Sequence, residues 1–561
     1  MVDLNAKELF EKGIKYFSEN KLLLAEKNFE NALKLAPDRI SILENLATVY
    51  YLNEKFEDSE NILNKSIKLQ NNSLKISNLM IKVLQKQGKI KELKSYIAKE
   101  LSKKKLDLKY NIIKNFSYPI FFENEEEIKL ARSEFENSLD ELEKIKDLKL
   151  KIDSDLIEPP IFYISYDRYE NLNINKKIVN LYRKFYPELN QNFVVKKKRD
   201  KIKIGFLSEF FTNHTIGKLY KGIIFNLNPE KFDVVIFHSQ NTTKSKRHSE
   251  FWESEILLNI HNVILPHNFN EKIKVIKQQN LDIAFFPDVG MSTEFYFLSY
   301  IRFARVQMTS WGHPVTTGNN SIDYFLSSKL FETKDDKNKF SEKLILSNYL
   351  PMFYYKSIID KSLRNDEITN KNIYFCSQNL IKIRPHFDLI IKKILEKDKK
   401  ANILFIKSKN KIFTNKLYER FKKNIPFNTE RISFLDQLTE EDYINYCGRA
   451  SVLLDPLYFG SGNSFYESMF YGTPTVTMPT NSLKSSVVSG AYKQMKIENP
   501  PVVKNIDEYT DKAVELANMD KKTMLNNKNY YSESANNYLY ENKEFIYEFE
   551  IILTDLHSKN Q

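Results

Sequence analysis

The chain has 561 residues, with 85 Lys+Arg against 73 Asp+Glu and a net charge of +12. Hydrophobic residues make up 42%, among them 40 Phe and 32 Tyr, enough for several cores, which excludes global disorder; at about 100–200 residues per domain the length predicts three or four folded units. Two cysteines, Cys376 and Cys447, exclude a disulfide framework or a cysteine-built zinc site, and no charge-free apolar run reaches the ~18 residues of a spanning helix.

The N-terminus lacks a basic-then-apolar leader pattern, so a cytoplasmic protein with no membrane partner is expected. Lysine is spread through the chain alongside Asn, Ile and Glu. The densest basic clusters, Lys103-Lys104-Lys105 and Lys196 to Arg199, are short. A solvated surface accounts for them, and no nucleic-acid partner is expected.

The first 105 residues read as tetratricopeptide repeats. Leu9, Gly13, Tyr16, Ala25, Phe29, Ala32 and Pro37 fall at the positions of this helix–turn–helix unit. Small Gly13 and Ala25 let two helices approach, Tyr16 and Phe29 fill the seam, and Pro37 stops the second helix. A period of ~34 residues brings Ala47, Tyr50, Ser59, Leu63 and Ser66 into register. A third, degenerate unit surrounds Ile81, Leu84, Gly88, Leu93 and Ile97 and suits a cap.

Residues 106–198 read as a helical bridge, with an amphipathic helix over Glu123–Leu148, a stop at Pro159-Pro160 and another helix near Ile178–Phe185. From Lys201 the rhythm changes to short apolar runs separated by helical patterns. The first set is Ile202–Leu207, Phe232–His238, Asn262–Leu265, Leu281–Phe286, Val306–Ser310 and Ile322–Leu326. The second is Ile373–Cys376, Asn402–Ile406, Ile432–Phe434, Val452–Leu454 and Thr475–Met478. Continuous apolar strands alternating with helices predict parallel sheets covered on both faces, in two doubly wound lobes over 199–360 and 361–561, joined near Asn348–Asn365. The expected fold class is therefore α + α/β.

Ligands of such sheets bind beyond the carboxyl ends of the strands, and the chemistry-bearing segments follow strands. Ser208 to His214 leaves the first strand; a His there can serve as acid, base or phosphate donor, and as a lone loop His it can equally be structural. Ser310 to Gly318 contains Gly312, His313, Pro314, Thr316 and Thr317, which suit close backbone approach and an anion, or else a tight turn with capping threonines. Cys376 to Pro385 offers Gln378 and Asn379 for a base edge and Lys382 for a diphosphate, although a Lys there can equally be a solvated helix residue. Leu454 to Glu467 holds a polar loop, Gly460, Ser461, Gly462, Asn463 and Ser464, whose N–H groups at a helix start favour phosphate. Glu467, about one turn further on, suits a pair of ribose hydroxyls. No Lys stands at a P-loop position, and no Asp-X-Asp pair ends a strand, so neither a Walker loop nor a metal site is expected.

Repeats followed by this series of motifs resemble the O-linked N-acetylglucosamine transferase family, glycosyltransferase family 41, in its bacterial SPINDLY-like branch. The resemblance covers most of the chain and is strongest over roughly 200–520. It implies two Rossmann-like lobes in the GT-B arrangement and an inverting transfer from a UDP-sugar to Ser/Thr of an acceptor protein held by the repeats, with no cofactor or metal. It gives His214 the place of the family's active-site His and Lys382 that of the diphosphate-binding Lys. Asn379 stands where animal members have a uracil-contacting Gln. Gly460 to Ser464 and Glu467 match the phosphate and ribose segment, with Glu for Asp and one extra loop residue. Trp311 to Gly318 and Pro287 to Met291 lie closer to the cytoplasmic N-glucosyltransferases of the same family. N-acetylglucosamine is the expected sugar, with glucose on Asn or fucose from GDP-fucose as alternatives; a repeat scaffold with an inactive transferase domain is the reading without an enzyme.

Overall fold

The computed structural model describes residues 2–69, 73–103, 107–192, 200–243, 260–359 and 372–560. Lys104, Lys105, the Lys196 to Arg199 run and the expected boundaries at 105/106, 198/199 and 360/361 lie outside these residues. Two compact units divide the chain: residues 1–121 with 131–148, and residues 122–130 with 149–561.

The first unit is built on three helix pairs. These are α1 (Val2–Ser18) with α2 (Leu22–Leu35), α3 (Ile40–Leu52) with α4 (Phe56–Lys68), and α5 (Leu74–Lys86) with α6 (Ile90–Ser102). A left-handed residue ends the first helix of each pair: Asn20, Glu54 and Gly88, at φ of 57°, 60° and 65°, spaced by 34 residues. Ionic contacts keep the same step. Glu26 accepts from Asn53 and Lys55 of the next repeat, and Glu60 from Gln87 and Lys89. A Cβ on Gly13 would stand 2.5 Å from the Phe29 ring, so only glycine lets α1 and α2 meet there. Ala25, Phe29, Ala32, Ala47, Leu63, Leu84, Leu93 and Ile97 are buried, as the repeat pattern requires. Further helices of this unit are Lys109–Phe116 and most of Glu125–Lys144.

The second unit holds two all-parallel sheets. The seven-stranded sheet comprises β1 (Ile202–Leu207), β2 (Phe232–Ser239), β3 (Ile260–Leu265), β4 (Ile283–Phe286), β5 (Val306–Ser310), β6 (Tyr324–Ser328) and β7 (Lys343–Ser347), in the order β3-β2-β1-β4-β5-β6-β7. The five-stranded sheet comprises β8 (Asn372–Phe375), β9 (Ala401–Ile406), β10 (Ile432–Leu435), β11 (Val452–Leu454) and β12 (Thr475–Val476), in the order β10-β9-β8-β11-β12. Each sheet starts centrally, grows outward for three strands, then returns to the other side of its first strand. The order reverses between β1 and β4 in one lobe and between β8 and β11 in the other, and a crevice opens at such switch points.

Three differences from the sequence reading have simple causes. β7 was not expected; it is an edge strand whose first four residues are at least partly exposed, so it lacks the continuous apolar run of a central strand. β12 is only two residues long, because Pro474 precedes it and Met478 is unpaired. The Ile178 helix begins earlier, at Leu172. One core cluster links the lobes: Phe285 and Met308 of the first sheet share it with Tyr466 and Tyr492 of the second lobe and Phe549 of the last helix, Lys543–Lys559. That helix returns to the first lobe, where Glu550 accepts the Asn228 N–H at 2.8 Å and Glu548 that of Asn348 at 2.9 Å.

Candidate active site

At the second switch point, the exits of β8 and β11 bring Lys382 to the glycine loop. Lys382 closes a 3₁₀ turn (Leu380–Lys382) and donates to Gln378 Oε1 at 2.9 Å and to the Gly460 carbonyl at 3.2 Å, with its ammonium 4.8 Å from the centre of the Phe459 ring. Burial lowers its pKa to about 8, against the pull of buried Asp455. Gln378 was expected to read a base edge. Instead both ends of its amide are taken by the protein, since Nε2 donates to Ser464 Oγ at 2.5 Å while Oε1 holds Lys382. Its role here is to aim the lysine. Asn379 is exposed and its Oδ1 accepts the Ile381 N–H, capping the turn.

The glycine loop is less open than its composition implies. Gly460 N–H goes to the Lys484 carbonyl at 2.8 Å and Ser461 N–H to Asp455 Oδ1 at 2.6 Å. A Cβ at 460 would meet the Asp455 carboxylate at 2.8 Å, so glycine is required. Asp455 is also bonded by Thr477, and burial raises its pKa to about 6. The N–H groups of Gly462, Asn463 and Ser464 begin a helix (Asn463–Ser468), and the described residues offer them no acceptor. At six residues that helix has a weaker dipole than a full-length one, so any anion would be held mainly by local N–H groups and Lys382. Asn463 Oδ1 accepts from Tyr354 at 2.9 Å.

Glu467 is 7% exposed and faces the other lobe, where Lys218 Nζ lies 2.7 Å from its Oε1. Lys218 belongs to the Thr215–Asn226 helix, whose N-cap is His214. The His214 ring stacks on Phe210 at 4.5 Å, and its Nδ1 accepts the Ile216 N–H at 3.3 Å. A neutral imidazole held this way carries its proton on Nε2 and is a donor from that atom. Beside it, at the first switch point, Ser208 after β1 donates to Asp288 after β4 at 3.0 Å; burial raises the Asp288 pKa to about 7.

The Gly312 to Thr317 segment follows β5, packs on the loop after β4, and turns its polar groups inward. Thr316 Oγ1 donates to Glu342 at 2.8 Å, Thr317 N–H does so at 2.8 Å, and the Thr317 hydroxyl bonds the same carboxylate. His313 is buried between the Val289 carbonyl, 3.0 Å from Nδ1, and Ser165; burial lowers its pKa to about 4, so it is neutral. Gly312 is needed because a Cβ would stand 2.5 Å from the Pro287 carbonyl. Pro314 and Thr316 line a small recess with Tyr169, Glu332 and Lys484, and neither Lys382 nor Glu467 is among its walls. Of this segment, Trp311 is the residue that looks toward the donor loop, 3.9 Å from where a Cβ on Gly462 would stand.

Residues of the bridge complete the setting. Arg384, two positions after Lys382, pairs with buried Asp167 at 2.9 Å, Lys484 reaches the Tyr169 carbonyl at 3.0 Å, and Tyr166 packs on Phe459 at 4.9 Å. Arg384 and Phe459 lie inside the two segments that follow β8 and β11, whereas Asp167, Tyr166, Lys484 and Lys218 had no chemistry-bearing motif around them.

Two Rossmann-like lobes with loop chemistry at both switch points, and a last helix returning to the first lobe, define the GT-B class of fold found in glycosyltransferases. Residues 352–549 match Glycosyl transferase family 41. A UDP-glucose:protein N-beta-glucosyltransferase of Actinobacillus pleuropneumoniae serotype 5b is 22% identical over 404 residues, covering 68% of this chain and 62% of its own length. The probable UDP-N-acetylglucosamine–peptide N-acetylglucosaminyltransferase SEC of Arabidopsis thaliana is 22% identical over 339 residues, 56% of this chain and 33% of its own. The chain thus spans less than two thirds of either relative. In structure, an O-GlcNAc transferase of Thermobaculum terrenum matches all of this chain and 98% of its own with a TM-score of 0.71 at 15% identity, a likeness of fold.

Proposed function

We propose that this protein is an inverting, metal-independent glycosyltransferase that moves N-acetylglucosamine from UDP-N-acetylglucosamine to Ser/Thr of an acceptor protein. The observation that carries the reading is the convergence of Lys382, aimed by Gln378, on the glycine loop at the second switch point. When the sugar C1–O bond breaks, its electron pair leaves with UDP and charge grows on the β-phosphate. Lys382 and the N–H groups at Gly462 to Ser464 stabilise that charge more as it develops than in the ground state. The acceptor oxygen bonds C1 from the opposite face, inverting it, and its proton passes to a phosphate oxygen of the departing UDP or to solvent water. His214, donating from Nε2, orients a substrate oxygen rather than taking that proton. Glu467 accepts the ribose hydroxyls, and Asn379 is the exposed amide left to meet the base. The repeats hold the acceptor chain, and two buried free thiols fit a cytoplasmic setting.

A second donor has specific support. The Gly312 to Thr317 segment and the 404-residue match to a UDP-glucose:protein N-beta-glucosyltransferase favour UDP-glucose with Asn acceptors. Co-expression with candidate acceptors followed by intact-mass spectrometry tests both. An added N-acetylhexosamine is expected; a hexose on Asn would shift the reading to the second donor, and a protein that neither binds UDP nor modifies any acceptor would overturn the enzyme reading.

A further inference from the structure

The cleft contains a cation that no donor-site motif includes. Lys218 sits one helical turn beyond His214, its N–H bonded to the His214 carbonyl at 3.0 Å. Its ammonium crosses to the second lobe and bridges Glu467 at 2.7 Å and Glu440 at 2.8 Å. The two carboxylates are unequal. The Glu440 side chain is 41% exposed, so water would solvate it even with Lys218 gone, whereas that of Glu467 is 9% exposed. A carboxylate removed from water and left unpaired takes up a proton rather than stay charged.

Apart from Asn463, the other groups that act on Glu467 do not favour its charge. Tyr354, Tyr443 and Tyr540 feel it electrostatically, as does the buried thiol of Cys447, and Glu440 of the Glu440–Arg449 helix repels it. Asn463 contributes a side-chain hydrogen bond. Burial pushes the Glu467 pKa up, and Lys218 is the charge that opposes the rise. Burial works against the Lys218 charge as well, but Glu467 and Glu440 together outweigh it and its pKa is raised.

We propose that Lys218 is a positioning residue of the donor site: carried by the first lobe, it holds Glu467 of the second lobe ionised and oriented to accept the ribose hydroxyls of a nucleoside diphosphate. This rests on the assignment of Glu467 to the ribose. The ammonium lies 2.7 Å from Oε1, and a carboxylate with about four acceptor positions on two oxygens retains capacity for hydroxyl donors. Because the cation and the carboxylate belong to different lobes, the ribose site is complete only when the lobes hold the separation seen here.

Calorimetric titration of the full chain with UDP tests this across pH 6.5–8. Wild type and Lys218→Met are compared at each pH, and their Kd ratio removes the protonation changes of UDP and Lys382 common to both. Lys218→Met is expected to bind UDP about tenfold or more weakly at neutral pH, with the ratio shrinking as pH rises and Glu467 ionises unaided. Lys218→Gln, a milder change, should show the same pH trend, and Lys218→Arg should restore affinity. In a Glu467→Gln background, Lys218→Met should add little, since the residue acts through Glu467. A Kd ratio independent of pH, or full additivity of the two substitutions, would overturn the role of Lys218 alone. Wild-type protein that fails to bind UDP would instead overturn the donor-site reading, and this inference with it.

Discussion

Two regions, one after β5 and one formed by the segments after β8 and β11, each combine Gly, hydroxyl and nitrogen-bearing side chains, and they differ in what they do. After β5, Thr316 and Thr317 turn onto Glu342, and His313 sits neutral between a carbonyl and Ser165. After β8 and β11, Lys382 is turned toward the glycine loop, held by one amide and one carbonyl, with no carboxylate among the described residues in ion-pair contact. Topology explains the contrast. β5 is flanked by β4 and β6, so loops cover its end, while β8 and β11 border the point where strand order reverses. Residue types at strand ends indicate where a ligand crevice can form; the partners of each polar group decide whether one does.

The sharpest break of this comparison is Lys382→Ala. Loss of a preorganised charge contact costs ~10²–10³ in rate, with the protein still folded, because removing a half-buried cation relieves a desolvation cost. Wild-type kcat/KM should also fall as pH rises through about 8, where Lys382 in the free enzyme loses its proton. The linkage sign agrees: with a folded pKa below the unfolded value, the group costs stability below about 8, and that cost fades as pH rises further. Near wild-type turnover of the alanine variant would return Lys382 to the same class as His313.

Next in size is Glu467→Gln. The amide keeps the shape but has one acceptor oxygen, so UDP should bind roughly tenfold to hundredfold more weakly, matching ~1.5–3 kcal/mol for hydrogen bonds to a charged group. A calorimetric Kd equal to wild type would detach Glu467 from the nucleotide.

Much of this was legible in the chain because it rests on local pattern. The 34-residue step reappears in the turns at Asn20, Glu54 and Gly88, and the apolar runs Val306–Ser310 and Val452–Leu454 became strands with those bounds. What was illegible rests on pairing across long separations. Lys218 and Glu467 are 249 residues apart, and Asp167 and Arg384 meet only once the bridge is folded against the second lobe. Glu342 lies in a Ser-Glu-Lys context that reads as surface, yet it is 4% exposed and takes both threonines. No spacing rule links such pairs, so the inward turn of Thr316 and Thr317 was hidden.

That inward turn predicts a separation of effects. Thr317→Val removes the hydroxyl bonded to a buried carboxylate and should cost about 1–3 kcal/mol of stability. UDP affinity should stay within about twofold, since the side chain is directed at Glu342 rather than at the donor loop. A thermal melt and a UDP titration of the same sample read both quantities. An unchanged melt with tenfold weaker UDP binding would mean that this segment touches the donor after all.

The smallest expected effect is none. Charge on the leaving diphosphate can be met by a metal ion or by fixed protein donors, and the two devices require different residues. A metal calls for converging carboxylates, imidazoles or thiolates, and among the described residues no group of three or more His, Cys, Asp or Glu is placed to hold one. Asp455, the carboxylate behind the glycine loop, already accepts from Thr477 and Ser461, and its neighbour Gly460 leaves no room even for a methyl group beside it. In the proposed mechanism, Lys382 and the N–H groups at the start of the Asn463–Ser468 helix are the fixed donors. Transfer in excess EDTA should therefore proceed at the untreated rate, and added Mg²⁺ or Mn²⁺ should leave kcat unchanged. If chelation stops transfer and Mg²⁺ restores it, Lys382 has a metal partner, and the contrast between the β5 and β8 loops no longer explains where the diphosphate charge is met.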